Sequence, residues 1–503
     1  MYPIELFFKA TRQFREKTAI RSPQGNLTFE QLANKVNSLA VALQYMDATT
    51  SSRVGVCGEN TVEHVVCLLA VMAAGKTWVP LNSRNAVSEL NRTIAFTEPS
   101  IVIATQEYLT SLDLSAVPHR IAMGIGEDGV DTVSTISAQH VGEDPGSTFP
   151  SQDAAQAIKF TGGSTGTPKG VVQPYRAWLT TAINQIHEYA FDEDDRYLIA
   201  APVTHGTSTY LIPILACGGC LVFPRDNRPA SLLQAFQEQA ITTTFIPPTL
   251  IYMLMAEGEG MDLKFPALRH LIYGGAPMPA QKIRRAREFF GPVLETTYGQ
   301  TEAPQIVTVM RARDFEDEDN WRSVGRQALL SEVAIMDTNG QLLPSGEVGE
   351  IVVRGDLVMA GYWKMPEKTA ETIVAGWLHT GDRGYIDDRG FLYLKDRLRD
   401  VVISGGFNVY PIDVESILDQ HPAVHESAVF GIEDDKWGEA VHAAIQLKPG
   451  MTVEADELTT FSKLQLGSVK TPKVFHFFDS LPRSIAGKVH KPTIKEMVMN
   501  EMQ

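Results

Sequence analysis

Residues 160–170 read FTGGSTGTPKG and combine glycines, hydroxyl side chains and a lysine in one short segment. Glycines let backbone N–H groups approach a polyphosphate closely, hydroxyl oxygens can bind phosphate or Mg²⁺, and a lysine adds a mobile positive charge. The spacing is not that of a Walker A loop, which opens a helix, because Pro168 and Gly170 break one. A flexible surface linker is the alternative, but Pro-Lys-Gly leads directly into Val171 and Val172. The segment therefore predicts a phosphate-binding loop that does not begin a helix.

This string resembles the phosphate loop of the adenylate-forming superfamily, which includes acyl-CoA synthetases, peptide-synthetase adenylation domains and firefly-type luciferases. The family usually has Thr-Ser-Gly-Thr-Thr-Gly-x-Pro-Lys-Gly, and here Gly162 stands where its Ser is common and Ser164 where the Thr after its first glycine is common. The resemblance implies that ATP is bound by Thr161, Gly162, Gly163, Ser164, Thr165, Gly166 and Lys169. Thr165 is also expected to be a catalytic residue and a Mg²⁺ ligand.

Further segments follow in the family's order. The turn at 273–277 resembles the one that lies against adenine, and TYGQTE at 297–302 resembles the segment that holds base, phosphate and metal. The resemblance implies adenine stacking by Tyr298 and Mg²⁺ binding by Glu302. The further nucleotide contacts that it implies are Gly274, Gly275, Ala276, Thr297, Gly299, Thr301, and, for the ribose, Asp382 and Arg397.

Lys488 lies in the string SIAGKV and resembles the family's catalytic lysine on a small C-terminal domain. Two anions must meet when a carboxylate attacks the α-phosphate of ATP. Mg²⁺ on Glu302 and the loop hydroxyls would neutralise the triphosphate, and Lys488 would bridge the carboxylate and the α-phosphate. Catalysis is then expected to rest on positioning and electrostatic stabilisation, with pyrophosphate leaving in line.

The acceptor is expected to be coenzyme A. SGGFNVYP at 404–411 strongly resembles the segment that lines the pantetheine tunnel of acyl-CoA synthetases, where a side chain on Gly406 would block the thiol. Trp437, Arg84 and Lys473 are further candidate CoA contacts. Arg399 lies at the family's hinge, where Asp or Lys is common, and Asp396 replaces a usual glycine; hinges tolerate several residue types.

The acid that is activated is less defined. The resemblance places His205, Phe245, Gly275 and Gly299 at the acyl pocket. This region has no Asp that could pair with an ammonium group, which argues against amino acids. Gly299 stands where acetate enzymes carry Trp, so the pocket should be deeper than acetate needs. Because apolar pockets discriminate methylenes by only about 1–3 kcal/mol, aromatic and medium or long aliphatic acids both remain open.

The leading prediction is therefore an ATP-dependent, AMP-forming acyl-CoA synthetase that uses ATP, Mg²⁺ and CoA. The first alternative is an adenylation enzyme that loads an acyl carrier protein, which would share every nucleotide residue. A luciferase-like oxygenase would use the same adenylate. A non-catalytic nucleotide-binding relative is disfavoured, because both Glu302 and Lys488 are present.

Composition limits the class of protein. A net charge of −16 over 503 residues argues against a nucleic-acid binder. Four cysteines are too few for a disulfide framework and fit a reducing cytoplasm, and the CxxC pair Cys217 and Cys220 is interpreted as structural. No signal peptide is expected from the amphipathic N-terminal pattern, and no membrane span is expected because the most apolar run, Val65–Ala74, is too short. A monomer or a homodimer is expected.

The elements that must position these residues follow an α/β pattern. Short strands such as Tyr197–Ala201 and Thr243–Ile246 alternate with helices such as Ala280–Phe289, and a buried helix at Val65–Ala74 leads into the strand Thr77–Leu81. Residues 325–394 predict a small β-barrel-like part, and the last hundred residues predict a compact, mobile α+β domain. The expected domains are an AMP-binding domain at 1–396 and a C-terminal lid at 397–503.

Overall fold

The computed structural model describes residues 1–146, 149–161, 169–397, 401–482 and 489–501. Helices alternate with short strands through most of this part of the chain. The α-helices are α1 (Pro3–Gln13), α2 (Phe29–Met46), α3 (Val62–Ala73), α4 (Val87–Thr97), α5 (Gln106–Ser111), α6 (Val133–Ala138), α7 (Tyr175–Tyr189), α8 (Ser208–Ala216), α9 (Pro229–Glu238), α10 (Pro248–Glu257), α11 (Ala280–Phe290), α12 (Pro366–Thr372), α13 (Pro411–Leu418), α14 (Ala455–Lys470) and α15 (Lys491–Glu501).

The strands are short, as expected of a layered α/β fold. They are β1 (Thr18–Arg21), β2 (Leu27–Thr28), β3 (Arg53–Cys57), β4 (Thr77–Leu81), β5 (Ile101–Thr105), β6 (His119–Met123), β7 (Ala155–Thr161), β8 (Lys169–Pro174), β9 (Arg196–Leu198), β10 (Cys220–Val222), β11 (Thr243–Ile246), β12 (His270–Gly274), β13 (Leu294–Tyr298), β14 (Thr308–Met310), β15 (Arg326–Gln327), β16 (Glu332–Met336), β17 (Gly349–Arg354), β18 (Gly361–Tyr362), β19 (Ile373–Val374), β20 (Trp377–Ile386), β21 (Leu392–Arg397), β22 (Val402–Ser404), β23 (Phe407–Val409), β24 (Val424–Asp434), β25 (Gly438–Leu447) and β26 (Val474–Phe478).

The chain divides into two compact units. The first comprises Met1–Ser83, Thr93–Phe160 and Gly170–Asp396. The second comprises Arg397–Gln503 together with two short segments from earlier in the chain, Arg84–Arg92 and Thr161–Lys169.

Two large sheets form the framework of the first unit. A nine-stranded sheet has the order β15-β14-β13-β12-β11-β9-β10-β1-β2, and a seven-stranded sheet has the order β18-β8-β7-β4-β3-β5-β6. The central strands of both sheets pair in parallel. Their residues are almost all buried, as expected for parallel strands that are covered on both faces.

The predicted buried helix and the strand after it are confirmed. Helix α3 begins after Thr61, whose hydroxyl accepts a hydrogen bond from the backbone N–H of His64, a typical N-cap. Most of its side chains are buried in the main core of the first unit. Helix α3 ends one residue before the predicted end, and β4 has the predicted bounds.

Other predicted bounds differ by a few residues, and the end of β9 has a clear cause. The predicted strand Tyr197–Ala201 ends at Leu198, because the N–H of Ala200 bonds to the C=O of Leu198 and turns the chain out of the sheet. Asn60 Nδ2 then donates to the C=O of Ala201 at 2.8 Å. The chain is thereby directed towards the His205 turn.

Two smaller sheets complete the fold. Strands β16, β17, β20 and β19 pair in that order, with β21 on β20, and this sheet is the part that was predicted to be barrel-like. The sheet of the second unit has the order β23-β22-β25-β24, with β26 on β25, and α13 packs on it. Both sheets agree with the predicted β-rich region and α+β region. In the described ranges, no helix is both long and apolar enough to cross a membrane.

Candidate active site

Strands β11, β12 and β13 run parallel and end at one edge of the nine-stranded sheet. Phe245 lies next to the end of β11, Gly274 ends β12 and Tyr298 ends β13. Ligands of open α/β sheets bind outside the carboxyl ends of the strands. The predicted adenine and acyl residues therefore lie at the edge where ligands of such sheets bind.

The turn after β12 presents bare backbone. Gly274 pairs with Thr297, and a Cβ on Gly274 would lie 3.0 Å from the carbonyl oxygen of Thr297 and 3.2 Å from the ring of Phe245. Gly275 has φ = 80°, in the left-handed region that favours glycine, and it is exposed, whereas Ala276 is half-buried. The predicted adenine wall, Gly274 to Ala276, thus lies directly beside the strand that carries Thr297.

Tyr298 and Asp382 are brought together from two different sheets. The hydroxyl of Tyr298 donates to Oδ2 of Asp382 at 2.7 Å, and both residues are buried. Gln300 Nε2 donates to the same carboxylate oxygen at 2.7 Å and to the C=O of Thr380 at 2.9 Å. Gln300 belongs to the TYGQTE motif, but the sequence alone predicted no role for it. Its position two residues after Tyr298 was the signal that could have indicated one.

Strand β17 fixes the irregular stretch of β20 that carries Asp382. Thr380 Oγ1 donates to the C=O of Ile351 at 2.6 Å, and the N–H of Gly381 donates to Glu350 Oε1 at 3.0 Å. His379 Nδ1 lies 2.8 Å from the other oxygen of Glu350. Gly381 has φ = 73°, so a glycine is favoured there. Asp382 is therefore held on a constrained, irregular stretch of β20, with its carboxylate at the hydroxyl of Tyr298.

Glu302 and Thr301 follow β13 and are tied to neighbouring elements. Tyr362 donates its hydroxyl proton to Glu302 Oε1 at 2.8 Å, and the N–H of Met359 donates to the C=O of Glu302 at 2.8 Å. Gln173 Nε2 donates to the C=O of Thr301 at 2.8 Å. In the parts of the chain that the structure describes, no group of three or more His, Cys, Asp or Glu could hold a metal ion. A single carboxylate still fits Mg²⁺, which binds one or two carboxylates together with substrate phosphates.

Part of the predicted site lies outside the described residues. This holds for Gly162, Gly163, Ser164, Thr165 and Gly166 of the phosphate loop, for the hinge residue Arg399 and for Lys488. Thr161 is the last residue of β7, Lys169 is the buried first residue of β8, and Arg397 is the last residue of β21. A strand, not a helix, follows the loop, as predicted.

Three of the four predicted acyl residues, His205, Phe245 and Gly299, lie around the start of α8, whereas Gly275 lies in the turn after β12. His205 is exposed, and its Nδ1 lies 3.0 Å from Thr204 Oγ1. A Cβ on the next residue, Gly206, would lie 2.8 Å from the ring of Phe245. A Cβ on Gly299 would lie 3.1 Å from the backbone of Gln305. Phe245, Gly274, Gly299 and the His205 turn therefore line one wall, and Gln305, which sequence reasoning missed, lies against it.

A second residue that sequence reasoning missed is Lys159, on β7. Its Nζ donates to the C=O of His205 at 3.1 Å and to Ser208 Oγ at 2.8 Å, and it lies 5.2 Å from the ring centroids of both Trp78 and Trp178. Burial lowers the pKa of Lys159 to about 7. A lysine between Ile158 and Phe160, two residues before Thr161, was the signal that could have identified it.

Candidate CoA residues of the second unit also meet. Gly405 and Gly406, with φ of 61° and 79°, form the turn between β22 and β23, and the N–H of Gly405 donates to the C=O of Trp437 at 2.8 Å. Lys473 Nζ lies 5.0 Å from the centroid of the Trp437 ring and also donates to three carbonyls after the kink in α14, those of Ser468, Val469 and Thr471.

These bonds mean that Lys473 stabilises the end of α14 in this structure, and burial lowers the pKa of its ammonium group. Arg84 is exposed, and its backbone packs against the α14 kink at Gly467, where a Cβ would lie 3.2 Å from the C=O of Arg84.

Known proteins resemble the chain over nearly its whole length. It is 30% identical to the medium/long-chain-fatty-acid–CoA ligase FadD8 of Mycobacterium tuberculosis, over 97% of this chain and 89% of that protein. It is 32% identical to a feruloyl-CoA synthase of Amycolatopsis sp., over 97% of both chains. The solved structure of the amide bond synthetase McbA from Marinactinospora thermotolerans matches with a TM-score of 0.90 and 29% identity, over 99% of both chains.

Family models match both parts of the chain. The AMP-binding enzyme C-terminal domain matches residues 413–488, and the AMP-binding enzyme model matches residues 7–363, which include the β11–β13 edge, Tyr298 and Glu302. The predicted superfamily is thus confirmed, and the chain belongs to the AMP-binding enzyme family.

Proposed function

We propose that this chain activates a carboxylic acid with ATP, releasing pyrophosphate, and transfers the acyl group from the resulting adenylate to CoA. The predicted enzyme class, an ATP-dependent and AMP-forming acyl-CoA synthetase that uses Mg²⁺ and CoA, is confirmed by the CoA ligases that the chain matches over nearly its full length. The residue roles below are our proposal. The observation that carries them is the pairing of Tyr298 with Asp382 at the sheet edge that also bears the Gly274 turn.

The nucleotide roles follow from chemistry at this edge. The ring of Tyr298 and the backbone of Gly274 to Ala276 form surfaces for adenine, and Asp382 accepts hydrogen bonds from ribose hydroxyls. The hydrogen bonds from Tyr298 and Gln300 hold the Asp382 carboxylate in place. Arg397 and Thr297 complete the nucleoside side of the site in this proposal.

The chemical step rests on charge neutralisation. Glu302, held by Tyr362, would bind Mg²⁺ together with Thr165, and the ion would neutralise phosphate charge when bound. Thr301, Lys169 and the loop residues 161–166 bind phosphates. Lys488 brings the carboxylate of the acid to the α-phosphate, so that the two anions approach within a preorganised site.

The second step uses the C-terminal part of the chain. We propose domains at 1–396 and 397–503, with Arg399 as the hinge between them. The division of the chain into two compact units supports this arrangement. In this proposal pantetheine passes the Gly405–Gly406 turn, and Trp437 with Arg84 and Lys473 contributes to CoA binding; Lys473 would exchange its carbonyl partners for CoA.

Acceptors other than CoA have specific support. The match to an amide bond synthetase favours an amine as a second candidate, and an acyl carrier protein remains the alternative that shares every nucleotide residue. A cytoplasmic location, and a monomer or homodimer, stay predictions. The four cysteines are free thiols, as a reducing compartment requires.

The deciding experiment is a screen of pyrophosphate release across carboxylic acids, without acceptor and with CoA, an amine or an acyl carrier protein. We expect release with an aromatic or medium to long aliphatic acid, stimulated by CoA and accompanied by thioester. If only an amine or only a carrier protein stimulates release, that compound, and not CoA, is the acceptor. The absence of release with every acid would contradict the proposal.

A further inference from the structure

An ion pair joins the first turn of α4 to the end of α14. Lys470 Nζ lies 2.9 Å from each carboxylate oxygen of Glu89, although the two residues are 381 positions apart in the sequence. Their side chains are only 20% and 16% exposed, so the pair is shielded from solvent more than the exposed pairs that contribute little to stability. The amide of Asn85 also donates to Glu89 Oε1, at 3.1 Å. Both partners lie in the second unit, because that unit includes the segment Arg84–Arg92.

The kink in α14 lets this segment approach the helix closely. Gly467 interrupts the helix with φ = 72° and ψ = 170°, a conformation that favours glycine. A Cβ on Gly467 would lie 3.2 Å from the carbonyl oxygen of Arg84 and 3.3 Å from the backbone nitrogen of Ala86. The backbone contact at Gly467 and the ion pair at Lys470 therefore hold the segment at two points, three residues apart on α14.

The end of α14 is also tied to a proposed CoA residue. Lys473 Nζ donates to the carbonyls of Val469 and Thr471, the two neighbours of Lys470 in the sequence. The same ammonium group lies 5.0 Å from the centroid of the Trp437 ring. The backbone on both sides of Lys470 is therefore bonded to the lysine that contacts Trp437.

Resting on the function proposed above, we infer that Lys470 and Glu89 form a positioning pair that assembles the CoA-binding residues. The pair holds the segment that begins with Arg84 against the end of α14, close in sequence to Lys473, so that both basic residues can meet the phosphates of one CoA molecule. A chain with a net charge of −16 has no general attraction for an anion and depends on basic residues that are held together locally. The pair itself does not touch CoA in this arrangement.

A direct attraction between Lys470 and the CoA phosphates is the competing role, and Glu89 distinguishes the two. If only the local field mattered, replacing the carboxylate of Glu89 by a cation would strengthen the binding of an anion. If the carboxylate holds the segment, the same replacement places two ammonium groups against each other and weakens CoA binding. The sign of the effect at Glu89 therefore decides between attraction and positioning.

The test reverses each charge, as Lys470→Glu and Glu89→Lys, and then combines the two changes. We expect each single variant to raise KM for CoA in thioester formation about tenfold or more, as for the loss of a hydrogen bond between charged groups. Acid-dependent pyrophosphate exchange, which does not use CoA, should keep its wild-type rate. The double variant can form the pair with its charges exchanged, so its KM for CoA should return to within about threefold of the wild type.

The matched control is Glu496→Lys, at an exposed glutamate of α15. It makes the same change of charge as Glu89→Lys and should leave KM for CoA unchanged. If a charge reversal does not fold, Lys470→Met and Glu89→Gln disrupt the pair without creating like charges, and both should raise KM for CoA.

Three results would overturn the inference while leaving the proposed function intact. One is a lower KM for CoA in Glu89→Lys together with a higher KM in Lys470→Glu, which would mean that the charges act on CoA directly. Another is a double variant that binds CoA no better than the poorer single variant. The third is an equal loss of exchange and thioester formation in the single variants, which would make the pair a general stabiliser of the fold. Absence of exchange with every acid in the wild type would instead refute the proposed function itself.

Discussion

The hydroxyl of Tyr298 donates to a carboxylate oxygen of Asp382 at 2.7 Å, although the two residues are 84 positions apart in the sequence. The bond joins the end of a parallel strand to strand β20 of the small antiparallel sheet, and Gln300 donates to the same oxygen. A ring proposed to stack on the base thus orients the carboxylate proposed to bind the ribose.

Asp382→Asn should raise KM for ATP and change kcat little. Hydrogen bonds to a charged group contribute about 1.5–3 kcal/mol, so a rise of roughly 10- to 100-fold is expected. Steady-state kinetics with ATP varied would measure it. Asp388→Asn, at an exposed aspartate nearby, is the matched control. A variant with normal KM for ATP would exclude Asp382 from the nucleotide site.

Glu302→Gln should lower the rate of adenylate formation by about 10²–10³-fold, which is typical for loss of one group that stabilises the transition state electrostatically. The amide can still accept the hydrogen bond from Tyr362 but carries no charge for the cation. The Mg²⁺ concentration for half-maximal activity should therefore rise, which a purely structural role would not cause. Glu347→Gln, at an exposed glutamate, should match the wild type in both readouts.

Lys488→Ala should nearly abolish adenylate formation and spare thioester formation from a preformed acyl-adenylate, because the lysine would contact the α-phosphate only in the first step. Separate assays of adenylate formation and of thioester formation distinguish a loss in the first step from a loss in both, and Lys495→Ala is the control. Equal losses in both half-reactions would assign Lys488 a structural role.

The sequence predicted those parts of the fold and site that local pattern encodes. Strands such as Thr243–Ile246 are short runs of buried residues between turn formers, and Gly275 marks a turn whose φ of 80° favours glycine. Contacts between distant segments were not predictable. The bonds from Tyr298 to Asp382 and from Lys159 to Ser208 depend on how sheets and helices pack, and Gln305 becomes notable only when Gly206 and Gly299 are seen beside it.

Gly406→Leu should leave acid-dependent pyrophosphate exchange intact and abolish thioester formation, since a branched side chain would occupy the proposed pantetheine path. Gly406 has φ = 79°, so a substitution also strains the turn. Gly450→Leu, in an open turn with φ = 77°, controls for that strain. Thioester formation at the wild-type rate by Gly406→Leu would remove this turn from the CoA site.

Lys159→Met should change how the stability of the protein depends on pH. Burial lowers the pKa of Lys159 in the folded state to about 7, whereas a lysine in an unfolded chain has a pKa near 10.4. Between pH 7 and pH 10.4 the lysine is protonated more often in the unfolded state than in the folded state. The free energy of unfolding of the wild type therefore rises with pH in this range, by up to about 1.4 kcal/mol per pH unit.

Methionine does not titrate, so the variant lacks this pH-dependent contribution. The stability of Lys159→Met relative to the wild type should therefore be greatest at pH 7 and below and should decline towards pH 10. Denaturant unfolding of both proteins at several pH values would measure the difference. A difference that does not vary with pH would mean that Lys159 keeps an ordinary pKa between Trp78 and Trp178. Since Lys159 also holds the His205 turn, KM for the acid should rise in Lys159→Met at every pH, whereas KM for ATP should not.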